Sequence, residues 1–186
     1  MDEIGETELI DALKNGTVVG RTKRGVKRGV HAALLRKCCR ELKDQVDPRG
    51  MRLGEVVVLG CLDLAGLTVP FPLRFDICEF DSAPVVEGAT LAGLSLTGCQ
   101  DLPGLLGNGL HLRGDLDLSR SRVTGAYWTS ASTSRSAAIW LCEAEIGGSL
   151  LCVDAALDGQ GYRSIQADRI HVGGAILSRS KIGSGR

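Results

Sequence analysis

The chain has 186 residues, 44% hydrophobic and 24% charged, which gives enough apolar material for one buried core and too little polar bias for disorder. Lys and Arg number 22 against 22 Asp and Glu, which excludes a global attraction to nucleic acid or anionic lipid. No run approaches the ~18 apolar residues of a membrane helix, and Met1-Asp2-Glu3 lacks the basic and apolar regions of a signal peptide. The expected location is therefore cytoplasmic, with no transmembrane segment.

Residues 3–15 predict a short helix with Leu9, Ile10 and Leu13 on one face, stopped by Asn15-Gly16 as a C-terminal cap. The basic, glycine-rich run from Gly20 to Gly29 has no Gly-x-x-x-x-Gly-Lys-Ser/Thr spacing and reads as a solvated linker. From Val30 to Leu42 the residues Val30, Leu34, Leu35, Cys38 and Leu42 recur at helical spacing, predicting a second helix. Asp47-Pro48-Arg49-Gly50 is a turn. Residues 1–50 thus read as an α-helical cap with a basic linker, and residues 51–186 as a separate repeat region.

The repeat is clearest in Gly114-Asp-Leu116-Asp-Leu118-Ser-Arg-Ser121-Arg-Val123. An apolar residue is followed two later by another, three later by a small or apolar residue, and two later by a large one. The same spacing fits Leu62, Leu64, Leu67 and Val69; Leu73, Phe75, Cys78 and Phe80; and Leu94, Leu96 and Cys99. It returns in Ile139, Leu141, Ala144 and Ile146, in Leu150, Cys152, Ala155 and Leu157, in Ile165, Ala167, Ile170 and Val172, and in Ala175, Leu177, Ser180 and Ile182. Pairs two apart are strand-like, because alternate side chains of a strand face one side. Units about eleven residues long make four short faces in every two, so a coil of about 22 residues is expected. The predicted fold is an all-β solenoid, a four-faced right-handed parallel β-helix with its strands ~4.8 Å apart. Asp101 is expected at a large-residue position of the frame, as a departure from it.

Ala89-Thr-Leu91, Ala144-Glu-Ile146, Ala155-Ala-Leu157, Ser121-Arg-Val123 and Cys78-Glu-Phe80 resemble the small-x-Leu/Phe core of pentapeptide repeats, stretched by an extra residue per pair of repeats. Ala144-Glu-Ile-Gly-Gly-Ser-Leu150 and Ala167-Asp-Arg-Ile-His-Val-Gly-Gly174 resemble more specifically a family of long actinobacterial proteins often labelled "membrane-associated oxidoreductase". The likeness spans residues 50–183. It implies the β-helix, and through the label it implies an oxidoreductase as an alternative function. Gyrase-protecting pentapeptide proteins, which imitate a DNA duplex, supply a further alternative, against which the zero net charge speaks.

The residues themselves favour a non-enzymatic protein-interaction or scaffold module. Asp115 with Asp117, and Glu143 with Glu145, are paired carboxylates expected on solvent faces, and His171 lies beside no recognisable nucleophile. Seven cysteines form no Cys-x-x-Cys, and Cys78 and Cys99 share the small inward position as compact fillers. No flavin, nicotinamide or metal is expected. The hydroxyl-rich interruption between Leu118 and Ile139 predicts an edge loop whose Tyr127, Trp128 and Arg135 are the candidate contacts for an unknown protein partner. Too little chain follows Ile182 to cover the last coil, so the repeat region is expected to be open at its C-terminal end. A homodimer through the last coil, using Leu177 and Ile182, or a longer parent protein would satisfy it.

Overall fold

The computed structural model describes residues 1–20, 27–125, 129–130, 133–134, 137–160 and 163–182. Most of the regular structure is parallel β-sheet, with two short helices near the start. Helix α1, Glu6–Asn15, buries Leu9, Ala12 and Leu13 and ends at Gly16, whose φ of 62° lets its N–H reach the Ala12 carbonyl. A left-handed residue of this kind is the expected helix stop. Helix α2, Ala32–Glu41, buries Ala32, Leu35, Cys38 and Cys39. It is shorter than its periodicity predicts, because Val30 and His31 belong to a strand, Arg28–His31, that pairs in parallel with Val56–Leu59. The end of the basic, glycine-rich run is therefore sheet, while residues 21–26 lie outside the described part. Arg28 ties that strand to α1 through two bonds to Glu8, of 2.6 and 2.8 Å. The forked contact lowers the Glu8 carboxyl pKa and raises that of Arg28.

The longest sheet holds the strands Met51–Gly54, Leu73–Asp76, Leu94–Thr97, Leu116–Asp117, Leu150–Asp158 and Ile176–Ile182 in consecutive parallel pairing. Met51, Leu73, Leu94, Leu116, Leu150 and Ile176 stand opposite one another, so the chain returns to the same ladder after 22, 21, 22, 34 and 26 residues. A second sheet sets Val69, Leu91, Leu112, Ile146 and Val172 side by side in the same way. All nine residues of these two ladders up to Leu150 and Ile146 are buried, and they fill one continuous core. The long step of 34 residues leaves that register intact.

Two columns of left-handed residues explain why the pattern repeats in halves of eleven. Glu55, Ile77, Gly98, Arg120 and Asp154 all have φ between 55° and 63°. Each of the first four donates its N–H across to the residue before the next one: Asp76, Thr97, Ser119 and Val153. Gly66, Gly88, Gly109, Glu143 and Arg169 form the second column, with φ between 57° and 66° and the same bonding. A single left-handed residue turns the chain sharply while its amide stays paired, which is how a strand can bend without losing its ladder. Non-glycine residues here carry a local strain of order 1–2 kcal/mol each.

Directly after the first column comes the small inward position, occupied by Val56, Cys78, Cys99, Ser121 and Ala155, all buried. The three polar members have a further role. Cys78 Sγ, Cys99 Sγ and Ser121 Oγ donate to the carbonyls of Leu53, Phe75 and Leu96 at 3.6, 3.7 and 2.6 Å, one coil-length earlier in the chain. Ser121 Oγ also accepts the Cys99 N–H at 2.9 Å. These cysteines are therefore fillers that also satisfy backbone carbonyls turned inward at the corner.

Two sequence expectations shift here. Asp101 does not occupy the large inward position: it is exposed with φ 58°, and Leu102 is buried instead and bridges Val123. The unit carries one extra residue, absorbed as a bulge at Asp101. Leu177 stands opposite Leu151, whereas Ile176 stands opposite the buried Leu150, so Leu177 belongs to the outer face. Ile182 keeps the register of the large inward column, opposite Leu157.

Candidate functional site

A groove of about 610 Å³ runs along the outer face of the longest sheet, lined by Arg52, Arg74, Ser95, Thr97, Asp117 and Arg120 among others. Its floor follows from strand alternation. Met51, Leu53, Leu73, Phe75, Leu94, Leu96, Leu116 and Leu118 point inward, so the residues between them point out. Those are Arg52, Arg74, Ser95 and Asp117, side by side in one ladder. Arg52 Nη1 reaches the Gly16 carbonyl only at 3.4 Å, and Arg74 is exposed with no ion-pair partner among the described residues. The acidic groups nearby are engaged with their surroundings. Asp76 Oδ1 accepts from Thr97 Oγ1 at 3.2 Å, Asp117 Oδ1 from the Ser119 N–H at 2.9 Å, and Asp115 Oδ1 from the Ser149 N–H at 2.7 Å.

Arg52 and Arg74 are not among the residues that the sequence singles out, although each sits between two inward residues at the same place in successive units.

Of the residues it did single out, Tyr127, Trp128 and Arg135 lie outside the described residues. Next to them Thr129–Ser130 pairs antiparallel with Thr133–Ser134, against the parallel direction of the other sheets. Asp115 and Asp117 are not brought together as an acid–base pair, since each bonds a different amide. Glu143 pairs with Arg169, and Glu145 lies 3.5 Å from His111 Nε2. His171 is exposed and takes the ladder place opposite Glu145.

The cysteines divide by exposure. Burial pushes the thiols of Cys39 and Cys99 up to about 12 and those of Cys38, Cys78 and Cys152 to about 11, so at neutral pH they stay protonated and poorly nucleophilic. Cys61 is exposed, and Cys142 is half-buried with Sγ 3.7 Å from Asp168. Among the described residues no three His, Cys, Asp or Glu side chains cluster as a metal would require, and no helix is long and apolar enough to cross a membrane.

No family model, curated protein or solved structure matches this chain.

Proposed function

We propose that residues 51–182 form a right-handed parallel β-helix of the pentapeptide-repeat-like type, capped by the N-terminal helices, and that it serves as a non-enzymatic interaction or scaffold module. Support for the solenoid comes from the inward ladders that repeat near 22 residues and from the two left-handed corner columns. Support for the cap comes from α2, which lies against Thr68–Val69, the terminal strand of its sheet. At the other side the sheets end on Arg163–Gln166, His171–Val172 and Ile176–Ile182, and each of these strands pairs on one side only among the described residues.

That edge, unpaired on one side among the described residues, supports the functional proposal. Ile165, Ala167, Ile170 and Val172 are only partly buried, and Ile176 is 62% exposed although its ladder partner Leu150 is buried. An exposed strand edge with apolar residues beside it invites strand addition. A second copy of the chain fits it. About a two-fold axis at Arg179, Ile176 would oppose Ile182, Ser178 would oppose Ser180 and Leu177 would oppose Lys181, and each of the two facing Arg179 charges is offset by Asp154 at 3.6 Å.

Sedimentation velocity across a concentration series tests this. The wild-type chain is expected to pass from monomer to dimer, and Ile176→Lys is expected to remain monomeric with an unchanged circular dichroism spectrum. A wild-type monomer at every concentration, or dimerisation unaffected by Ile176→Lys, would refute the proposal.

A further inference from the structure

We propose that the groove on the outer face of the longest sheet is a binding site for the phosphate group of a small phosphorylated ligand, held between Arg52 and Arg74. The two side chains are direct cross-strand neighbours and project from the same face, one strand spacing of ~4.8 Å apart. Like charges placed directly opposite one another destabilise a sheet unless an anion lies between them. Arg52 makes one long bond to the Gly16 carbonyl and its charge helps to lower the Asp47 carboxyl pKa, while Arg74 has no ion pair and no side-chain hydrogen bond among the described residues. Guanidinium forks match phosphate oxygens in pairs, and two facing forks supply enough donors for a dianion.

The next place in the ladder strengthens the assignment. Ser95, opposite Arg74, adds a hydroxyl to the same row, and Arg120 lies on the groove wall. Asp117 follows one strand beyond Ser95, so the row is cationic at the Arg52 end and acidic two strands from Arg74. Asp76, two residues along the same strand as Arg74, already shares Oδ1 with Thr97. A volume of about 610 Å³ exceeds what a lone phosphate fills, leaving space for the organic part of the ligand over Pro72, Ala92 and Gly93.

Titration of the isotope-labelled protein with pyrophosphate, followed by amide chemical shifts at constant ionic strength, tests the site. Saturable shifts are expected at Arg52, Arg74 and Ser95. Arg74→Gln should weaken the apparent affinity roughly tenfold, the scale of one lost charge-assisted contact. Arg122→Gln, on an exposed position of another strand, should change it less than about twofold. Unchanged spectra of both variants without ligand confirm that each is folded. Shifts that fail to saturate, or an equal loss in the two variants, would overturn the proposal.

Discussion

Leu116→Asp is expected to lower the folding free energy by about 3–5 kcal/mol or more, because it removes a buried leucine and places a carboxylate in an apolar core. Leu116 is fully buried and sits at the middle of the longest ladder, with Leu94 on one side and Leu150 on the other. No cation lines that inward column, whose members are Met51, Leu73, Leu94, Leu116, Leu150 and Ile176. The adjacent change Asp117→Ser is expected to stay within about 0.5 kcal/mol. Asp117 faces out, and its one side-chain bond among the described residues, from the Ser119 N–H, is of a kind that a serine hydroxyl also makes. Urea denaturation of the two variants measures the contrast. Equal losses at 116 and 117 would mean that the inward and outward assignments are wrong.

Gly148→Ala is expected to cost about 1–3 kcal/mol or more, for a reason that lies in the backbone. Ala92, Gly114, Gly148 and Gly174 stack, each amide of the last three donating to the carbonyl of the one before, at 2.8 to 3.1 Å. A Cβ on Gly148 would stand 2.7 Å from the Gly114 carbonyl carbon and 2.9 Å from the Asp115 nitrogen. On Gly174 it would meet the Gly148 carbonyl carbon at 2.9 Å. Those atoms belong to paired backbone and cannot move aside without breaking the ladder. Gly93→Ala is the control, since its nearest backbone neighbour is 3.8 Å away and its φ is not positive. That change is expected to be neutral or slightly stabilising through the unfolded chain. Thermal unfolding midpoints distinguish the two, and a Gly148→Ala midpoint equal to that of Gly93→Ala would contradict the close stacking.

The stacking also gives a physical meaning to Gly147-Gly148 and Gly173-Gly174, which the sequence offered only as part of a resemblance. A Cβ on Gly147 would lie 2.8 Å from the Arg113 carbonyl oxygen, and one on Gly173 2.5 Å from that of Gly147. Spacing between inward residues was legible because strand alternation and the length of a coil both leave a trace in hydrophobicity. Leu62, Leu64, Val69, Leu73, Phe75, Leu141 and Ile146 all fall where that trace puts them, in the core.

What depends on one residue more or less was not legible. Asp101 and Leu177 are misplaced in the sequence frame because a left-handed residue or a bulge can absorb an insertion without changing the hydrophobic count. The strand Arg28–His31 escaped notice because four residues are too few for a period, and its pairing partner lies 28 positions away. The groove escaped for a different reason. Arg52 and Arg74 become neighbours only once the coil length is applied to the outward residues as well as to the inward ones.

The register of the longest ladder places every inward and outward residue, and nuclear Overhauser contacts between backbone protons test it most directly. In-register parallel strands bring the neighbourhoods of Leu73, Leu94, Leu116 and Leu150 together in sequence, with amide bonds from Leu94 to Asp115 and from Leu116 to Ser149. Cross-strand contacts linking Leu73 to Leu94, Leu94 to Leu116, and Leu116 to Leu150 are the predicted result. Contacts between residues of consecutive strands running in opposite directions, such as an antiparallel pairing of Leu94–Thr97 with Leu116–Asp117, would contradict it.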